Sequence, residues 1–239
     1  SNISTNIVNQ RIDYYGGRNL NYIAKNQSGD AYVTNDRLNS WQFENYLTYI
    51  KSFNEKHAIN AMVGLSWQHV DRFNSTARAQ NFQDDYFKFN NLGAGANAIQ
   101  PQSGSVAYGL NSYFSRLNYT LKDKYLFTLT GRVDGSSKFG ESNRFAFFPS
   151  AAFAWRASDE DFLNNSTIIS NLKFRSSYGM TGNSEITAYQ ALAGMGNYSV
   201  IFNNQREIGI GINRLANPDL RWEKTKQIDI GAELGLFQN

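Results

Sequence analysis

Leu117-Asn118-Tyr119-Thr120-Leu121-Lys122-Asp123-Lys124-Tyr125-Leu126-Phe127-Thr128-Leu129-Thr130 reads as two extended segments folded about one tight turn. Past the turn, Tyr125, Phe127, Leu129, Gly131 and Val133 fall on one side, and Leu126, Thr128, Thr130, Arg132 and Asp134 on the other. Successive side chains of a strand point to opposite faces, so this is a strand with one apolar face and one small or polar face. The same period of two places Ile59, Ala61, Val63, Leu65 and Trp67 opposite Asn60, Met62, Gly64, Ser66 and Gln68. It recurs from Phe145 to Arg156 and from Gln227 to Leu236, while helical periodicity is rare. The fold class is all-β, with antiparallel neighbours.

Working outward, the 239 residues expect eight strands, at about 3–15, 40–53, 57–70, 106–121, 124–134, 145–156, 171–180 and 225–237. Asn54-Glu55-Lys56 and Lys122-Asp123-Lys124 are tight turns, and 157–170 is a polar connection with one helical turn at Ser158–Asp161. The remaining connections, 16–39, 71–105, 135–144 and 181–224, are rich in Gly, Asn, Ser and Tyr. Short connections fall on one side and most long ones on the other. Outer-membrane barrels have this bias, with short periplasmic turns and long external loops. Phe53, Tyr119, Tyr125 and Trp155 sit at the short-turn ends, where an aromatic girdle belongs; a general preference of aromatics for strands is the competing account. On this reading Leu65, Phe127, Leu129, Phe147, Phe153, Ile230 and Leu234 face lipid. Ser66, Thr128, Thr130, Arg132, Asp229 and Glu233 face the lumen.

Composition narrows the function classes. Aromatics are 15% and charged residues only 18%, against about 25% charged in ordinary soluble chains. The net charge of +3 includes no block of like charges, so the footprint of a nucleic-acid binder is lacking. No cysteine means no disulfide, thiolate metal site or cysteine nucleophile. Mean hydropathy is −0.51 and no uncharged apolar run approaches the length of a transmembrane helix. Barrel strands, only half apolar, escape that test. Ser1-Asn2-Ile3-Ser4 lacks the basic and apolar regions of a signal peptide.

An ordered series of motifs carries a family resemblance. Ser112-Tyr113-Phe114-Ser115-Arg116-Leu117-Asn118-Tyr119 leads into Asp123-Lys124-Tyr125, then Arg132-Val133-Asp134-Gly135-Ser136-Ser137-Lys138-Phe139-Gly140. Phe148-Pro149-Ser150, Ala154-Trp155-Arg156 and Ser177-Tyr178-Gly179-Met180-Thr181-Gly182-Asn183 follow. Asn217-Pro218-Asp219-Leu220-Arg221-Trp222-Glu223-Lys224-Thr225 closes the series. In order and spacing this resembles the barrel of the SusC/RagA family of TonB-dependent outer-membrane transporters, most closely over 106–237. The resemblance implies a parent with a plug, a TonB-contacting segment and a 22-stranded barrel. Such a parent imports glycans or peptides with a SusD-like surface lipoprotein, in the outer membrane of a bacterial cell. Residues 1–239 are then expected to be a partial barrel domain, about eight strands from the middle of the wall, without plug, signal peptide or barrel C-terminus. The sheet should be open, its first and last strands unpaired with each other, because closing eight strands would pack Arg132, Arg156, Lys173, Arg175, Asp229 and Glu233 into a thin core.

Candidate chemistry is sparse. Gly93-Ala94-Gly95-Ala96-Asn97-Ala98 fits the dinucleotide fingerprint, but Gln100-Pro101 stands where its helix should run, and a Gly-rich external loop is the better reading. His57 and His69 share one face of a strand, roughly 40 Å apart at about 3.3 Å per residue, too far to share a metal; each reads as a strand-end polar residue. Asp84-Asp85 and Asp159-Glu160-Asp161 cluster carboxylates, but strand neighbours point apart and these read as loop solvation. Lys138 and Arg144 flank an external loop, solvated or touching lipid A phosphates. No catalytic, cofactor or metal residue is identified, and an enzyme is not expected. Tyr189, Tyr198, Phe202 and Trp222, in or beside the longest loop, are the substrate-binding candidates: aromatic faces stack on sugars, though self-packing of the loop explains them equally. Expected partners are outer-membrane lipid, the SusD-like lipoprotein, TonB and a glycan or peptide, with no nucleic acid. The alternative function is a non-transporting surface or adhesion protein.

Overall fold

The computed structural model describes residues 1–18, 29–54, 56–164 and 166–237. Alternating segments become strands: β1 (Asn2–Gly16), β2 (Asp30–Phe53), β3 (His57–Phe82), β4 (Gly95–Leu121), β5 (Tyr125–Ser136), β6 (Phe145–Arg156), β7 (Ile169–Asn183), β8 (Gly194–Phe202), β9 (Gln205–Arg214) and β10 (Glu223–Leu236). One sheet runs in the order β1-β2-β3-β4-β5-β6-β7-β10, and β8 and β9 form a second, two-stranded sheet. The large sheet is open: β1 and β10 are its edges and are not paired with each other. Between β4 and the end of β6 the only helical element is one 3-10 turn, Glu141–Asn143.

The registers test the facing. Tyr119 pairs with Phe127 and Phe127 with Phe153; Leu117 pairs with Leu129 and Leu129 with Ala151. Ala151 meets Tyr178, and Tyr178 meets Ile228. On the other face Asn118, Thr128, Ala152, Ser177 and Asp229 form one cross-strand row. The apolar row is exposed, with Leu129 56% and Ile230 85% accessible. Water would not tolerate an exposed apolar face of this length; a bilayer does.

Three expected strands are too short. β2, β3 and β4 run 24, 26 and 27 residues, whereas crossing a bilayer takes about 9–11. Residues 71–82 and 95–105, expected as connections, are strand. Gly95-Ala96-Asn97-Ala98 is therefore strand rather than loop, and His69 lies inside β3, stacked on Trp41, rather than at a strand end. The 181–224 connection also hides β8 and β9, joined at Asn203-Asn204, both with positive φ (50° and 61°). That is the backbone a two-residue hairpin turn requires. Lys122 and Asp123 (φ 52° and 55°) also have positive φ, in the three-residue turn that joins β4 to β5.

Two compact units divide the chain. One comprises Ser1–Asn2, Phe43–Gln68 and Gly109–Asn239; the other Ile3–Gln42 and His69–Tyr108. In the second, Ala31, Ala79 and Phe82 are buried under Tyr15, Phe89, Leu92 and Ala94. The segment after β3 forms 3-10 turns at Lys88–Asn90 and Leu92–Ala94. It is tied down by Asp85, which accepts hydrogen bonds from the Tyr15 hydroxyl and the Arg18 N–H.

In the first unit, rings line the short-turn end: His57 stacks on Tyr119, Tyr119 on Phe127, and Phe127 meets Phe153 at 4.9 Å between centroids. Trp155 stacks on Phe174. The expected girdle residues Tyr119 and Trp155 belong to this band, and His57 joins it by a 2.7 Å hydrogen bond with the Tyr119 hydroxyl.

Candidate functional site

Three places in the first unit hold side chains in fixed geometry: the polar face of β4–β10, a clasp at the long-loop end and a carboxylate clamp at the short-turn end. On the polar face, Arg132 donates from Nε to Asp134 at 2.7 Å and from Nη2 to the Ser112 hydroxyl at 2.8 Å. Its guanidinium carbon stands 5.5 Å from the Phe114 ring centroid. Phe114 in turn lies over Gly64, where a Cβ would stand 2.6 Å from the ring. Thr128 donates to Asn118 at 3.0 Å. Towards the short-turn end, Lys173 and Arg175 both stand 3.6 Å from Glu233. Arg132 thus pairs with Asp134 within β5, and Lys173 and Arg175 pair with Glu233 across β7 and β10, so these charges do not stand alone in a restricted space.

The clasp joins two segments that lie far apart in the chain. Phe139, Ala146, Phe148 and Trp222 form a buried cluster, with Leu110, Met180, Ile186 and Leu220 packed around it. The Trp222 indole N–H donates to the Arg144 carbonyl at 3.0 Å, and Asn143 donates to the Pro218 carbonyl at 3.2 Å. Gly140 sits so close that a Cβ there would be 2.5 Å from the Pro218 oxygen. The 217–222 segment thus latches the loop between β5 and β6. Lys138 is buried in this region, its Nζ 3.8 Å from Glu185, so it is neither solvated nor on the lipid side.

The clamp was not legible as such. Glu160, expected to be a solvated loop carboxylate, is half-buried and accepts from the Tyr125 hydroxyl at 2.6 Å, the Lys124 ammonium at 3.0 Å and the Trp155 indole at 3.1 Å. These donors hold its carboxyl down at about 2, the Tyr125 bond first, then Lys124 and Trp155. The signal available was Trp155 and Tyr125 at neighbouring strand ends, each bringing a donor that needs a partner at the rim.

The four substrate-binding candidates lie on β8, before it, and in the clasp. Tyr198 and Phe202 share one face of β8, 46% and 75% accessible, with Phe202 next to the Asn203-Asn204 tip. Tyr189 is 43% accessible and precedes the hairpin; its carbonyl accepts from Arg214 at 2.8 Å. Trp222 is buried in the clasp, its ring against Phe139 and Phe148. Among the described residues no group of three or more His, Cys, Asp or Glu is placed to hold a metal ion.

Comparison with known proteins places this geometry. The family model for TonB-dependent receptor-like β-barrels matches residues 2–239. TonB-dependent receptor P3 of Formosa agariphila is 41% identical over 82% of the chain and 20% of its own length. TonB-dependent receptor SusC of Bacteroides thetaiotaomicron is 34% identical over 80% of the chain and 19% of its own length. The chain thus spans about a fifth of the curated relatives it matches. Among solved structures, the RagAB peptide transporter superposes with a TM-score of 0.88 at 29% identity, covering 99% of the chain and 26% of that chain.

Proposed function

The chain belongs to the TonB-dependent receptor β-barrel family, on its SusC-like side, and from that premise we propose that it forms part of the wall of an outer-membrane importer for glycans or peptides. The carrying observation is the two-faced sheet: an exposed apolar face opposite a polar face that carries the ion pairs of Arg132 with Asp134 and of Lys173 and Arg175 with Glu233, in a sheet left open at β1 and β10. Such a wall does no covalent chemistry. Its polar face borders the passage, its apolar face holds it in lipid, and its long-strand end carries loops that meet substrate before entry. Tyr189, Tyr198 and Phe202 remain contact candidates at those loops, while Trp222 serves there by holding the loop shape. A SusD-like lipoprotein would cover the loops and TonB would supply energy from the inner membrane. The test is made on the full-length protein in its own bacterium. Deleting the gene abolishes growth on the imported polymer, and a protonophore stops uptake by cells that carry it. Growth and uptake indifferent to both treatments would refute the importer.

A further inference from the structure

The second unit has two faces of opposite character. Ala31 and Ala79 point to the one covered by the 83–94 segment. Asp30, Tyr32, Thr34 and Asp36 alternate with Ala31 along β2, and Arg72, Thr76 and Arg78 with Ala79 along β3, so they occupy the uncovered face. Their contacts agree. Tyr14 and Tyr32 stack at 4.9 Å with planes 16° apart. The hydroxyls of Thr34 and Thr76 stand 2.9 Å apart. Arg78 grips Asp30 through Nε at 2.8 Å and Nη2 at 2.6 Å. Arg72 grips Asp36 in the same forked manner, with Nε at 3.1 Å.

We propose that this face is a contact site for neutral, hydroxyl-rich oligosaccharides, an inference that rests on the importer reading above. Two carboxylates and two guanidiniums cancel, so the face offers hydrogen bonds without net charge. The arginine side chains remain 57% and 40% accessible. A guanidinium has five N–H donors, and a fork to one carboxylate leaves others directed outward. Donors and acceptors held side by side on planar groups match vicinal hydroxyls, and the tyrosine pair supplies an apolar flank for the C–H faces of a sugar ring. An anionic polymer would meet carboxylates already in place. A peptide would find no strand edge, because β2 and β3 are interior strands of the sheet; strand addition needs an exposed edge.

The experiment uses the full-length protein. A gene-deletion strain and its complemented parent are grown on starch, inulin, xylan and mannan as neutral polymers, on alginate and polygalacturonate as anionic ones, and on a casein digest. Oligosaccharides of the polymer whose use needs the gene are then titrated calorimetrically into the purified protein and its variants. We expect a neutral polymer to require the gene. Tyr32→Ala and Arg78→Gln should weaken binding at least tenfold, and Tyr32→Phe should bind like the parent. All variants should keep the mobility shift on heating of a folded barrel. A requirement confined to anionic polymers or the digest overturns the proposal, as does unchanged binding in folded Tyr32→Ala and Arg78→Gln. Both outcomes leave the importer standing. Indifference of growth on every substrate refutes the importer and, with it, the site.

Discussion

Replacing Leu129 by arginine measures the facing of the wall directly. Leu129 stands four positions past Tyr125, the ring at the short-turn rim. A strand rising about 3.3 Å per residue and tilted about 40° climbs roughly 2.5 Å per residue along the membrane normal. Leu129 therefore lies about 10 Å above the rim, close to the middle of an apolar band about 25 Å tall. Its neighbours on that face are Leu117 and Ala151, and it is 56% exposed, so the guanidinium would enter lipid with no partner. Leu129→Arg should cost about 2–4 kcal/mol, a roughly 30- to 700-fold shift in the folding equilibrium. Phe147 pairs with Val133, eight positions past Tyr125 and so about 20 Å up. Phe147→Arg there should incur only about 0–1 kcal/mol from its charge. Thr130→Arg, opposite Arg116 and Ser150 on the polar face, should cost no more than about 1 kcal/mol, from the repulsion of like charges at facing positions. The assay is denaturant titration of the full-length protein refolding into phosphatidylcholine vesicles. Equal losses for Leu129→Arg and Thr130→Arg would refute the facing, and a Phe147→Arg loss as large as that of Leu129→Arg would refute the depth.

Gly140→Ala should destabilise the clasp by about 1–3 kcal/mol, since its methyl must displace the Pro218 carbonyl; protease accessibility of the 135–144 loop reads this, and unchanged cleavage counts against it. Trp222→Phe should keep most of the packing and lose about 0.5–1.5 kcal/mol with the bond to the Arg144 carbonyl, whereas Trp222→Ala should lose about 3–5 kcal/mol; both are read by the same titration. The Glu160 carboxyl lies below its ordinary value in the folded protein, so the clamp stabilises fully above pH 4.5 and is lost as pH falls through about 2. Melting curves between those limits should therefore drop more steeply for the parent than for Glu160→Gln, and parallel curves would show that the clamp carries no pH-linked stability.

Period-two alternation was legible wherever one face was strongly apolar, so β5, β6, β7 and β10 were found near their true limits; β1 was found near its limits although Ile3 and Ile7 lie on one face and Val8 and Ile12 on the other. The upper halves of β2 and β3 escaped because both faces there are mild. Asp30-Ala31-Tyr32-Val33-Thr34 alternates polar with small residues, and its strand is held by Asp–Arg forks that no local pattern announces. The β8–β9 hairpin escaped differently: Asn203-Asn204 was a turn signal between two alternating runs, submerged in a loop rich in Asn and Gly. The loop aromatics were legible as a class but not in their division of labour. Burial of Trp222 depends on Phe139 and Phe148, which lie 83 and 74 positions earlier in the chain. Glu160 likewise draws its donors from three elements.

The β8–β9 hairpin also bears on the order in which the wall assembles. β4 meets β5 across a turn of three residues, but β7 must find β10 across the thirty-nine residues between Asn183 and Glu223. The entropy of closing a loop grows with the logarithm of its length, so this pairing is dearer than the β4–β5 turn by about 2 kcal/mol. A hairpin closes on its own within microseconds. Once β8 and β9 have zipped, about eighteen flexible residues remain between β7 and β10, which lowers the closure cost by about 0.7 kcal/mol. The small sheet, although it stands apart from the large one, thus acts as a splint that brings the late-arriving strand into range.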